Sequence, residues 1–213
     1  MKKRIILITS VGIILVIGLL YVRTNTQNST DKNTSYKWGN YLNKNSSETS
    51  KPLTDTEIYA KGKNATISVQ EMKQAIYFFE IQGNSKKDAE KLAYEYMKKS
   101  AALYAEAIEK GYNVTEEEVK TQVEELQSFM EDDSLDETSK NQVQSVIEGF
   151  DSEEEYWEYE RQVYQKLLTS EKYVSDLQKE FYSTSSQKDW NTYFENYKNQ
   201  LVEKEKFQIV KES

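Results

Sequence analysis

The chain of 213 residues contains no cysteine and no histidine. The lack of cysteine excludes disulfides, a thiol nucleophile and the lipid-bearing cysteine of a lipoprotein. The lack of histidine removes the commonest general base and, together with the missing cysteine, every metal site built from those two residue types. Catalysis by a serine-lysine pair or by paired carboxylates is left open. The sequence therefore favours a protein that is not an enzyme and has no cofactor.

Basic residues are the minority. The chain has 28 Lys and Arg against 36 Asp and Glu, a formal net charge of −8. Residues 1–23 hold four basic and no acidic residues, so the remainder has 24 against 36, a net charge of −12. This sign excludes nucleic acid as an expected partner, because phosphate binding needs a basic surface. The acidic clusters at 116–118, 131–133 and 153–155 are interpreted as solvated helix starts and loops.

One long hydrophobic run, Ile5–Val22, contrasts with the polar remainder. Its 18 residues would span about 27 Å as a helix, close to the roughly 30 Å of a bilayer core. We expect a transmembrane anchor with residues 1–4 in the cytoplasm, since three of those four are basic. A cleaved signal peptide is the alternative. An exported domain without disulfides suits the outer face of a bacterial membrane better than a eukaryotic secretory lumen, and we expect a Gram-positive bacterium.

Residues 23–56 are rich in Asn, Ser, Thr and Lys and include the only proline, Pro52. Such a composition cannot bury enough apolar surface to fold alone, so the sequence predicts a disordered polar linker. Tyr36, Trp38 and Tyr41 are interpreted as scattered aromatic residues within it. Residues 57–213 then form the folded domain.

Helical periodicity and capping residues predict a mainly α domain. Ser68, Ser85, Thr115 and Ser152 each stand at a predicted helix start, three residues before an acidic residue. Residues 57–67 predict a short strand, a turn and a second extended piece, and residues 206–210 predict a strand that pairs with Ile58–Ala60. The predicted helices cover residues 69–82, 86–110, 116–130, 142–150 and 152–181, and a last one begins at Trp190.

The string from Ala107 to Val119 is the most specific motif. Gly111 is placed to end a helix in the left-handed conformation, and Thr115 with Glu118 forms a capping box for the next. The pattern A-x3-G-x-x-V-T-x-x-E-V resembles a signature in the peptide-binding domain of SurA/PrsA-type foldases, relatives of the trigger factor chaperone. The string from Gly149 to Tyr156, at the start of a late helix, adds to the resemblance, which spans residues 58–177 and extends towards Val210.

The resemblance implies a helical chaperone domain with a small β element that joins its ends. Family members carry a parvulin prolyl isomerase domain between the late helix and the closing helix. Here only a Ser/Thr-rich link lies between Leu177 and Trp190, so prolyl isomerase activity is expected to be absent. The expected function is a membrane-anchored, extracytoplasmic chaperone that binds unfolded or newly exported polypeptides. The alternative is an adaptor that docks one folded partner of an envelope or secretion complex, and self-association is left open.

Aromatic residues are abundant, with 16 Tyr, 7 Phe and 3 Trp. Tyrosine gives a large apolar contact with a polar tip, which suits adaptable peptide binding, and methionine adds a flexible lining. Most of the aromatic residues are expected in the core, and those away from the predicted apolar stripes are the better candidates for exposed contacts. The candidate peptide-binding residues are Tyr77, Phe78, Tyr94, Met97, Phe129, Met130, Trp157, Tyr159 and Tyr173.

Overall fold

The structure is a computed structural model that describes residues 32–45, 57–131, 137–184 and 189–210. Within these residues the chain is mainly helical with one small sheet, which confirms the prediction of a mainly α domain with a small β element. The helices are α1 (Lys32–Asn45), α2 (Val69–Ile81), α3 (Lys86–Glu109), α4 (Glu116–Glu131), α5 (Glu137–Ile147), α6 (Glu153–Thr184) and α7 (Trp190–Glu205). The strands are β1 (Ile58–Lys61), β2 (Thr66–Ser68) and β3 (Gln208–Ile209).

The predicted capping residues set the helix starts. The Ser68 hydroxyl accepts a hydrogen bond from the Glu71 N–H at 3.0 Å, and the Glu71 carboxylate accepts one from the Ser68 N–H at 2.9 Å. Thr115 and Glu118 make the same reciprocal pair at 3.2 and 2.8 Å. Gly111 has a φ of +84°, the left-handed conformation expected after the end of α3. Local sequence therefore decides these helix starts and the connection between α3 and α4.

The sheet closes the domain as predicted. Its strand order is β2-β1-β3, with both pairings antiparallel. Ala60 pairs with Ile209, which joins the beginning of the domain to its end. The buried Glu205 carboxylate strengthens this closure, because it accepts hydrogen bonds from the N–H groups of Asn64 at 2.6 Å and Ala65 at 3.0 Å. The end of α7 thus holds the turn between β1 and β2.

Two hydrophobic clusters form the core. One lies where β1 and β2 meet α2 and α3, and includes Ile67, Met72 and Phe79. The other gathers side chains from α1, α4, α5 and α6, among them Val123 and Val146. Phe78 of α2 packs against both clusters. Side chains from helices, strands and connecting segments therefore all contribute to the core.

Helix α1 corrects the prediction of a disordered linker over residues 23–56. Residues 32–45 are helical, and they bury Ser35, Trp38, Gly39 and Leu42 against α2 and α5. The prediction was wrong because the segment is polar overall and only two of its four buried residues, Trp38 and Leu42, are large and apolar. Tertiary contacts supply the stabilisation that the composition does not indicate.

No helix in the described ranges is long and apolar enough to cross a membrane. The predicted anchor, Ile5–Val22, lies outside those ranges, as do residues 1–4, and it stays a prediction.

Candidate functional site

The C-terminal part of α6 and the first half of α7 present aromatic side chains towards each other. Asp189 caps α7, since its carboxylate accepts hydrogen bonds from the Asn191 N–H at 2.9 Å and the Thr192 hydroxyl at 2.7 Å. The cap fixes where α7 begins and therefore which side chains face α6. We call the resulting surface the aromatic face; it comprises Tyr173, Phe181, Tyr182, Trp190, Tyr193, Phe194 and Tyr197.

The rings of the aromatic face form a continuous set of contacts. Trp190 stacks on Phe194 with ring centroids 5.2 Å apart and an interplanar angle of 9°. Tyr193 stacks on Tyr197 at 6.2 Å and 10°. Phe181 of α6 bridges the two stacks, at 5.5 Å from Trp190 and 4.7 Å from Tyr193. These offset and tilted contacts are favourable arrangements for aromatic pairs and keep the rings in fixed orientations.

Part of this surface is open to solvent. Tyr182 is 58 % exposed and Tyr193 is 36 % exposed, while Trp190, Phe194 and Tyr197 are half-buried. Phe181 is buried beneath them. None of the seven residues belongs to either hydrophobic core cluster. The aromatic face is therefore a separate apolar surface, and we call its two exposed rings, Tyr182 and Tyr193, the exposed strip.

The electrostatics of the aromatic face keep its rings neutral. The hydroxyls of Tyr173 and Tyr197 are hydrogen-bonded to each other. Burial raises the pKa of both phenols, so both stay protonated at neutral pH. The Lys198 ammonium lies 4.7 Å from the centre of the Phe194 ring, and Glu195 pairs with both Lys198 and Lys99. The charges at the edge are thus paired, and the surface suits apolar or aromatic side chains better than ions.

The structure spreads the predicted peptide-binding residues over several places. Tyr77 and Phe78 are half-buried against Trp38 of α1, with ring centroids 6.4 and 5.3 Å from it. Tyr94 and Met97 are half-buried beside the cluster around the sheet. The side chain of Phe129 lies outside the described part of the chain.

Three of the predicted residues are buried. Tyr159 is 6 % exposed and Tyr173 is 7 % exposed, so the expectation that both present exposed contacts is wrong. Trp157 is 5 % exposed, and its indole N–H donates to the Glu153 carboxylate at 2.9 Å. The long helix α6 is covered by neighbours on more than one side, by α3 and by α4, which sequence periodicity did not indicate.

A second, smaller feature lies between α4, α5 and α6. Met130 and Trp157 line an opening of about 370 Å³, together with Gln127, Gln144, Ile147 and Glu153. Its lining is partly polar and partly apolar, because it includes two glutamine amides and the Glu153 carboxylate beside the apolar side chains. It brings together two of the predicted residues but lacks the exposed rings of the aromatic face.

Of the seven residues of the aromatic face, the sequence analysis selected only Tyr173 as a candidate contact, although it placed the start of the last helix at Trp190. The signal in the sequence that could have identified this surface is the high density of aromatic residues on both sides of the link between α6 and α7. Among the residues with described positions, no group of three or more carboxylates could hold a metal ion. The candidate site is a surface built from aromatic rings.

Comparisons with protein-family models, with curated proteins and with solved structures gave no match.

Proposed function

We propose that this chain is a membrane-anchored, extracytoplasmic chaperone-like protein that binds unfolded or newly exported polypeptides without prolyl isomerase activity. The aromatic face is the observation that carries the proposal. Its rings lie outside the two core clusters, and two of its tyrosines are more than a third exposed. The sequence motif from Ala107 to Val119, which resembles that of the SurA/PrsA-type domain, supports the same function.

Binding would use reversible burial of apolar client side chains against the exposed strip. Tyrosine and tryptophan rings give large contact areas at a small cost in side-chain entropy, and the neutral phenols accept or donate hydrogen bonds to an extended backbone. Fixed ring stacks provide a prearranged surface. The mechanism needs no cofactor and no catalytic group.

An adaptor for one folded partner is the second candidate. The narrowness of the exposed strip favours it, because only Tyr182 and Tyr193 of the aromatic face are more than a third exposed. A general holdase commonly needs a broader apolar surface, whereas a single dedicated partner needs only a small matching patch. The range of clients distinguishes the two functions.

The test is suppression of aggregation of several unrelated unfolded proteins by the full chain at near-stoichiometric ratios. Tyr182→Ala combined with Tyr193→Ala should weaken client binding about tenfold, since each aromatic contact contributes about 0.5–1.5 kcal/mol. The matched control is Tyr36→Ala, which removes a tyrosine that is 44 % exposed on α1.

Loss of suppression in the double variant but not in the control supports the proposal. Failure of the wild-type chain on every client refutes the holdase function and favours the adaptor. A refolding assay limited by proline isomerisation should show no acceleration. Acceleration would contradict the expectation based on the missing parvulin domain.

A further inference from the structure

Strand β3 forms an open edge of the sheet. The strand order β2-β1-β3 leaves β3 paired on one side only. The Val210 N–H donates to the Tyr59 carbonyl at 2.8 Å, and successive residues of an antiparallel strand point their backbone groups to opposite sides. The N–H and C=O of Ile209 therefore point away from β1. Among the described residues, neither group of Ile209 has a hydrogen-bond partner on that side.

The side chains at this edge are apolar and open to solvent. Ile209 is 52 % exposed and Val210 is 59 % exposed. Both are β-branched, which favours packing against a neighbouring strand. Residues 207–210 include no proline and no charged residue, the two means by which proteins commonly protect an edge strand from further pairing. The edge of β3 is therefore unprotected.

The opposite edge of the sheet, on β2, is partly closed. The Gly62 N–H donates to the Ala65 carbonyl at 2.7 Å, so the backbone groups of Thr66 and Ser68 point away from β1. The Ser68 N–H is taken by the Glu71 carboxylate at 2.9 Å, as part of the cap of α2. The outer edge of β3 is thus the better site for a further strand.

An extended segment of an unfolded polypeptide fits this edge. The free N–H and C=O of Ile209 need a partner backbone in the extended conformation, and a folded protein has most such groups already paired. A second copy of this chain is a poorer occupant, because a stable interface takes about 20–30 residues a side. The edge offers only residues 207–210, which suits weak and reversible binding.

We propose that the outer edge of β3 binds an extended apolar segment of an unfolded polypeptide as a fourth strand of the sheet. In such strand addition the backbone hydrogen bonds give affinity, and alternate side chains give the preference for apolar residues. The proposal rests on the proposed function, since its occupant is an unfolded chain, and it names the kind of client segment. Helix α7, whose 16 residues span about 24 Å, separates β3 from Trp190 of the aromatic face.

The test measures binding of a fluorescein-labelled peptide of seven alternating valine and threonine residues to the full chain, by fluorescence anisotropy. Ile209→Pro removes the outward N–H and leaves the hydrogen bonds with β1 in place, so it should weaken binding about tenfold. The same peptide with every backbone nitrogen methylated cannot donate hydrogen bonds. It should show no saturable binding.

Thr66→Pro is the matched control, because it removes an outward N–H from the opposite edge. That chain should bind the peptide as the wild type does. If circular dichroism shows that Ile209→Pro does not fold, Ile209→Lys keeps the backbone N–H and places a charge at the edge. This second variant loses an apolar cross-strand contact and should bind the peptide about threefold more weakly.

Four results would overturn the proposal. The first is no saturable peptide binding by the wild-type chain, and the second is unchanged binding by the folded Ile209 variants. The third is an equal loss of binding in Thr66→Pro. The fourth is a wild-type dimer in sedimentation that Ile209→Pro dissociates, because the occupant would then be a second copy of this chain.

The peptide assay and the aggregation assay separate this proposal from the proposed function. Suppression of aggregation that depends on Tyr182 and Tyr193, without peptide binding, would refute strand addition and leave the proposed function standing. Peptide binding that Ile209→Pro weakens, without suppression on any client, would support strand addition and refute the holdase function.

Discussion

Glu160 provides a sharp test of the packing around α6, because a carboxylate is buried there among three buried tyrosines. The residue is 6 % exposed. Burial raises the pKa of its carboxyl from an ordinary value of 4.5 to about 7, although a hydrogen bond with the Tyr156 hydroxyl favours the charged form. The native state therefore binds this proton more tightly than the unfolded chain does.

The sign of the pH effect follows from this shift. Between pH 4.5 and about 7, the native state holds the Glu160 proton while the unfolded state loses it. The free energy of unfolding therefore falls as pH rises through that window and levels off above it. The difference of about 2.5 pKa units corresponds to about 3 kcal/mol at pH 8.

Glu160→Gln removes the charge and keeps the side-chain volume and a hydrogen-bond acceptor for Tyr156. The variant should match the wild type at pH 5 and should be about 3 kcal/mol more stable at pH 8. Urea unfolding followed by circular dichroism at both pH values measures this difference. Glu158→Gln, at an exposed position of the same helix beyond its first turn, is the control and should change either value by less than about 1 kcal/mol, because its ion pair with Arg161 is exposed.

Glu171 should also make the free energy of unfolding fall as pH rises, as Glu160 does. Burial raises the pKa of its carboxyl to about 8, and its Oε1 atom is buried without a hydrogen-bond partner. Some loss of stability between pH 5 and 8 should therefore persist in Glu160→Gln. An identical pH dependence in the variant and the wild type would refute the assignment of a buried, protonated Glu160.

Three further substitutions test the closure and the local signals, each by the midpoint and slope of urea unfolding. Glu205→Ala leaves the Ala65 N–H without its acceptor and should lower the free energy of unfolding by about 1–3 kcal/mol. Glu203→Ala, at an exposed position, should leave it unchanged. Equal effects of the two substitutions would contradict the role of Glu205 in holding the turn between β1 and β2. Thr115→Ala removes a helix cap and should cost about 0.5–2 kcal/mol, and an unchanged midpoint would mean that the cap does not contribute. Gly111→Ala should lower the free energy of unfolding by about 1 kcal/mol through backbone strain alone, because no atom lies within 4 Å of the added Cβ. A stabilised variant would contradict the left-handed conformation of residue 111.

Local signals in the sequence were sufficient for most of the helices and for the sheet. Ser68 and Thr115 cap helices through atoms three residues away, and Gly111 ends α3 through its own φ angle. Such interactions involve neighbours along the chain, so the pattern of residue types identifies them. The pairing of β3 with β1 was also predicted, since both ends of the domain carry short extended segments.

Long-range contacts decided the rest. Residues 32–45 were interpreted as part of a linker because the segment is rich in Asn, Ser, Thr and Lys. The need for glycine at position 39 depends on its close approach to the carbonyl of Val146, which is far away in the chain. Burial of Tyr159 depends on which sides of α6 are covered. The aromatic face exists because α6 and α7 bring Phe181 against Trp190 and Tyr193 across a link between two helices.

The sequence by itself thus determined where α2, α3, α4 and α6 begin, because caps and turns act within a few residues. It also determined the chemistry that is excluded, because a chain without cysteine or histidine has no thiol, imidazole or disulfide. Only the tertiary structure decided which rings are exposed and that α1 packs against α2 and α5. Those properties depend on distances between segments that are far apart in the chain, and packing sets these distances.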